Sequence, residues 1–139
     1  MTIEEISQSI IDEFANFEDW MDKYAYIIEL GKECPVIAEQ DKTEQNLIKG
    51  CQSRVWLSCA NEEGRLRFKA DSDAVITKGI ISLLIRTLDN QTPQDILQAD
   101  LGYLDQIGLK EHLSPTRSNG LTSMVKQMKM YALAFSMKQ

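Results

Sequence analysis

The chain has 139 residues, of which 43% are hydrophobic and 26% charged, the size and balance of one soluble globular domain. Fifteen Lys and Arg against 21 Asp and Glu leave a net charge of −6. The basic residues are scattered rather than massed on one element, which argues against nucleic-acid binding. No run approaches the length of a membrane span, and the acidic start Met1-Thr2-Ile3-Glu4-Glu5 lacks the pattern of a secretory signal, so a cytoplasmic protein with reduced thiols is expected.

Thr2 and Glu5 read as a capping box, and Ile3, Ile6, Ile10 and Phe14 recur at helical spacing, predicting a helix from Ile3 to Phe14. A second helix is expected to start at Asn16 as cap, to present Phe17, Met21, Tyr24 and Ile28 on one core face, and to end at Gly31 in a left-handed cap. Cys34-Pro35 starts a connection, and Asp41 to Asn46 is a polar surface loop or single turn. Leu47-Ile48 reads as the start of a short strand. It leads into a glycine turn, Lys49-Gly50-Cys51-Gln52-Ser53-Arg54. Val55 to Ala60 is a strand, Asn61 to Gly64 a hairpin turn, and Arg65 to Ala70 a half-buried partner strand with Leu66, Phe68 and Ala70 inward.

Asp71-Ser72-Asp73 offers several helix caps before an almost wholly apolar helix from Ala74 to Leu88, in which Gly79 marks a close helix contact. Thr92-Pro93 opens a short helix; Leu101 to Leu113 reads as turns or one brief helix. Ser114-Pro115, or Ser118, opens the last helix, with Leu121, Met124, Val125, Met128, Tyr131, Ala132 and Phe135 on its apolar face. The sum is a single α+β domain, residues 1–139, with a small antiparallel sheet of about three strands packed against helices.

Cys51 is the residue with the most chemistry. It follows a glycine, sits at the mouth of a strand, and is flanked by Lys49 and Arg54, cations of the kind that lower a thiol pKa. Two other readings compete with a reactive thiol carrier. A zinc or iron–sulfur scaffold would use Cys34, Cys51, Cys59 and His112, but no C-x-x-C pair is present. A cysteine hydrolase would need His112 as base.

At Asn46-Leu47-Ile48-Lys49-Gly50-Cys51-Gln52-Ser53-Arg54-Val55-Trp56 the sequence closely resembles the SufE family, the sulfur acceptors of group II cysteine desulfurases in iron–sulfur cluster biogenesis. The likeness continues through Tyr26 to Gly31, Asp71 to Ala74, Lys78-Gly79, Thr92 to Ile96 and His112 to Leu121. The resemblance implies a fold shared with U-type iron–sulfur scaffolds. It also implies that Cys51 takes a sulfane sulfur as its own persulfide, stimulates a SufS-like desulfurase, and passes the sulfur toward a SufBCD-like scaffold. No resident cofactor is implied, the pyridoxal phosphate belonging to the desulfurase. By the same resemblance Arg117 and Asp73 lie near the cysteine loop, and Gly50, Gln52, Ser53, Trp56 and His112 support it.

Overall fold

The computed structural model describes residues 1–138. Seven helices and one hairpin follow each other in the order α1 (Ile3–Phe14), α2 (Trp20–Gly31), β1 (Val55–Glu62), β2 (Arg65–Ser72), α3 (Val75–Leu88), α4 (Pro93–Gln98), α5 (Tyr103–Gln106), α6 (Leu109–His112) and α7 (Pro115–Ser136). Single 3₁₀ turns at Glu39–Asp41 and Glu44–Asn46 fill the α2–β1 connection.

Local chemistry explains most helix starts. Thr2 and Glu5 exchange both bonds of a capping box. Thr92 and Ser114 cap α4 and α7, each with proline in the first turn. The second helix departs from expectation. Asp19, not Asn16, is its cap, accepting from the Asp22 amide. Phe17 instead packs against Phe14 and Tyr26, which holds the preceding segment out of the helix. The buried face of α2 is Ile27, Leu30 and Gly31, while Met21 is 72% exposed. Gly31 makes no left-handed cap: it is the last helical residue, and Lys32 after it is right-handed.

The reason for Gly31 lies in α3. A Cβ at Gly31 would stand 3.0 Å from the Gly79 amide nitrogen, and one at Gly79 would stand 2.1 Å from the Ile27 carbonyl oxygen. The two helices therefore cross backbone to backbone, as the sequence suggested for Gly79. The Ser82 hydroxyl donates to the Leu30 carbonyl at 2.8 Å across the same contact. Ile80, Ile81, Leu83 and Leu84 bury α3 on several sides among Leu57, Leu66, Phe68 and Ile27.

The sheet has two strands rather than about three. Glu63 and Gly64 both take positive φ in the two-residue turn, which fits the right-handed twist of the hairpin. Leu47 makes only an isolated antiparallel bridge to Trp56, with the Ile48 amide on the Val55 carbonyl at 2.8 Å. The Glu44–Asn46 turn before it and Gly50, at φ +93°, after it leave too few extended residues for a strand. Val36 bridges Ala70 on the other edge, so the hairpin is covered on both sides. From the far end, α7 is tied down where the Tyr131 hydroxyl donates to the Leu57 carbonyl and Lys129 to the Ala99 carbonyl.

A half-buried ion pair joins α1 to α3: Arg86 grips the Glu13 carboxylate with two nitrogens, and the Tyr26 hydroxyl also donates to it. Arg86 holds the Glu13 carboxyl below its ordinary value of 4.5. A depressed carboxylate pKa contributes stability that is present above the unfolded value and is lost as pH falls through the folded one. Thermal melts taken from about pH 6 down to about pH 3 should therefore show Glu13→Gln losing a few degrees less than wild type over that interval. Parallel losses in the two proteins would contradict this.

Candidate functional site

Cys51 sits in the loop between the Leu47 bridge and β1. The loop is pinned at both ends and free between them. Upstream, Ile48 bonds Val55. Downstream, the Arg54 amide donates to Asp73 Oδ1 at 3.0 Å, the Asp73 amide donates to the Arg54 carbonyl at 3.3 Å, and the Ser72 hydroxyl donates to that same carbonyl at 2.8 Å. Asp73 is thus no helix cap; Ala74 occupies that position without a side-chain bond, and Asp73 closes the end of the hairpin ladder. Among the described residues, no backbone–backbone hydrogen bond involves Lys49 through Ser53.

The thiol itself turns toward α7. Cys51 Sγ lies 3.7 Å from the Gly120 carbonyl oxygen, which can accept its proton in a weak hydrogen bond. Gly120 permits this approach, since a Cβ there would already touch Sγ at 3.5 Å. Gly50 does the same one residue earlier: its φ of +93° disfavours any side chain, and a Cβ would stand 2.5 Å from Ser123 Oγ. The result is a pocket of about 90 Å³ lined by Cys51, Gln52, Ser53, Thr77, Ile80, Thr116, Arg117, Gly120 and Met124.

Electrostatics corrects the sequence argument. Burial pushes the Cys51 thiol up, and no neighbouring cation offsets it. Lys49 and Arg54 are exposed and point their charge into water. At rest Cys51 is a protonated, half-buried thiol. Cys34 and Cys59 are still less available, burial pushing them up to about 11 and about 12. Cys34 is buried, 3.6 Å from the Ala70 carbonyl, and Cys59 is half-buried within β1.

The structure brings Cys51, Gln52, Ser53 and Arg117 together and places Asp73 at the hinge of their loop. It leaves two expected residues outside. The Trp56 ring lies under Lys42, whose Nζ is 5.4 Å from its centroid and pairs with Asp71. His112 is stacked on Trp20 at 4.7 Å, with Nδ1 on the Gly108 carbonyl at 2.9 Å. Neither lines the pocket, so His112 is not placed as a base for Cys51. Among the described residues, no three His, Cys, Asp or Glu side chains gather where they could hold a metal ion. A scaffold site of Cys34, Cys51, Cys59 and His112 is therefore not assembled.

The family model described as "SufE: Fe-S metabolism associated domain" matches residues 8–132. The chain belongs to the SufE family. Its fold is similar to the solution structure of a hypothetical protein from Thermus thermophilus, with a TM-score of 0.76 over 93% of this chain and 94% of that one, at 18% identity. That likeness speaks to the fold alone. The SufE assignment associates the chain with iron–sulfur metabolism. No described helix is long and apolar enough to cross a membrane.

Four pocket residues of this SufE domain escaped the sequence reading: Thr77, Ile80, Thr116 and Met124. Thr77 and Ile80 lie on α3, and Thr116 and Met124 on α7. Their helical spacing marks them as core or cap residues, and only the packing of α3 against α7 turns them into walls.

Proposed function

We propose that this protein is a sulfur acceptor and carrier in the cytoplasm. Cys51 takes sulfane sulfur from a cysteine persulfide on a group II desulfurase and holds it as its own persulfide. The sulfur then passes to an iron–sulfur assembly scaffold. The observation that carries this reading is the placement of Cys51: half-buried on a loop with tied ends, in a small pocket beside an exposed arginine.

The chemistry needs both burial and release. The attacking species is the thiolate. In the pocket Cys51 is held as the thiol, shielded from stray oxidants and thiols. Swinging the loop outward removes the desolvation, and the thiol then ionises more readily. The thiolate attacks the outer sulfur of the donor persulfide. One S–S bond forms to Cys51, the donor's S–S bond breaks, and the donor cysteine leaves as a thiolate. The proton lost by Cys51 ends on that leaving group or in water, and no external oxidant or reductant enters. Returning to the pocket then shelters the persulfide. Arg117, exposed at the pocket wall, supplies a positive charge to the sulfur anion at the moment of transfer. Removing sulfur from the desulfurase also raises that enzyme's turnover, so the carrier is at once an activator.

The test is desulfurase turnover with cysteine, with and without this protein. Wild type should raise alanine production severalfold, Cys51→Ser should not, and Arg117→Ala should stimulate about tenfold less well, the loss of one charge-assisted contact. Because Arg117 is exposed, its removal should leave the melting temperature unchanged. Full stimulation by Cys51→Ser would end the acceptor reading, and full stimulation by Arg117→Ala would remove that arginine from it.

A further inference from the structure

Beside the thiol pocket lies a row of stacked side chains drawn from three helices. Arg117, near the start of α7, has its guanidinium carbon 5.8 Å from the centre of the Tyr24 ring. Tyr24 meets Trp20, one turn earlier on α2, edge-on at 6.5 Å and 71°. Trp20 in turn is stacked on His112, the last residue of α6, at 4.7 Å and 12°. Trp20 and Tyr24 are half-buried with one side against the core, and His112 and Arg117 are exposed.

We propose that this row is the anchor on which the sulfur-donating protein docks, with a carboxylate of the donor forked onto Arg117. The inference rests on the acceptor reading of Cys51 and adds to it the surface that positions the donor. Three observations carry it. The row starts at the mouth of the pocket, because Arg117 lines the pocket and also caps the row. A donor that seats its cysteine against Cys51 necessarily covers what borders that mouth. Next, Trp, Tyr and Arg are the residues that dominate binding energy at protein interfaces. Here their rotamers are already held by one another, so little side-chain entropy remains to be lost on docking. Last, Arg117 makes no salt bridge among the described residues. With one face over Tyr24, its edge still presents N–H donors in the fork that fits a carboxylate.

The proposal is tested by calorimetric titration of the desulfurase with wild type, Trp20→Leu and His112→Asn, each full length and shown by thermal melting to be folded. Iodoacetamide alkylation of Cys51 is followed in the same samples. Each variant should raise Kd about tenfold while alkylation stays within about twofold of wild type, the pattern of a lost anchor rather than a damaged thiol site. Unchanged Kd would overturn the proposal, and so would alkylation that shifts in step with Kd. Should Trp20→Leu fail to fold, the exposed His112→Asn decides the matter alone. If the row instead serves a second copy of this chain, wild type will dimerise with concentration and His112→Asn will not, which also overturns it. Wild type that binds no desulfurase and takes up no sulfur would overturn the acceptor reading, and this one with it. Wild-type uptake with unaffected variants would overturn this one alone.

Discussion

Replacing Gly79 with alanine should destabilise the fold by about 3 kcal/mol or more, the upper end of what overpacking costs. The added Cβ would stand 2.1 Å from the Ile27 carbonyl oxygen and 2.8 Å from its carbon. Those are backbone atoms, and α2 cannot yield locally, because the neighbouring Leu30 carbonyl is held by Ser82 and Gly31 faces the same contact. The helices must separate, which opens the packing around Ile27, Ile80 and Leu83. For a domain whose total stability lies in the usual range of about 5–15 kcal/mol, such a loss is a large fraction. Urea unfolding would show it as a fall in midpoint with little change in slope. A midpoint equal to wild type would mean that α2 and α3 do not cross where the coordinates place them. Gly31→Ala is a milder probe of the same crossing, its Cβ at 3.0 Å from the Gly79 nitrogen.

Gly50→Ala should act on access to the thiol rather than on stability. Its φ of +93° costs an L residue about 1–2 kcal/mol, and the new Cβ would lie 2.5 Å from Ser123 Oγ. The strain is relieved when the loop leaves α7, so the balance between sheltered and released Cys51 shifts by roughly tenfold, since about 1.4 kcal/mol is a factor of ten. Alkylation of Cys51 by iodoacetamide should speed up accordingly, and its pH profile should move down toward that of an ordinary cysteine. Combining Gly50→Ala with Ser123→Ala removes the contact and keeps the backbone strain; most of the acceleration should persist. An unchanged alkylation rate in Gly50→Ala would show that the loop does not respond to strain at this residue.

Residues whose roles are local were legible in the sequence. The Thr2–Glu5 box, the Thr92-Pro93 and Ser114-Pro115 starts, and the alternation of Leu66, Phe68 and Ala70 each depend on neighbours within a turn or a strand. The misread positions depend on partners far away in the chain. Asn16 and Asp19 are both good caps, and the choice was made by Phe17 packing on Tyr26. Gly31 resembles a helix stop, yet it is glycine because α3 passes over it. Asp73 resembles a cap, yet its carboxylate serves the Arg54 amide across the hairpin.

The candidate site divides the same way. The Gly50-Cys51 turn and Arg117 were visible as motif residues, whereas the sign of the thiol's pKa shift was not. Flanking cations argue for a lowered pKa, but exposed charges are screened by water while the loss of hydration on burial is not. The aromatics of α2 read as core from their spacing. Trp20 and Tyr24 instead turn one side outward and stack with His112 and Arg117, which no helical period reveals.

The measurement closest to the central claim is an intact mass. The protein is incubated with its desulfurase, cysteine and pyridoxal phosphate, then weighed without reductant. Wild type should gain one sulfur, about 32 Da, that reductant removes, and Cys51→Ser, with Cys34 and Cys59 still present, should gain none. The same gain in both proteins, or none in wild type, would contradict the account.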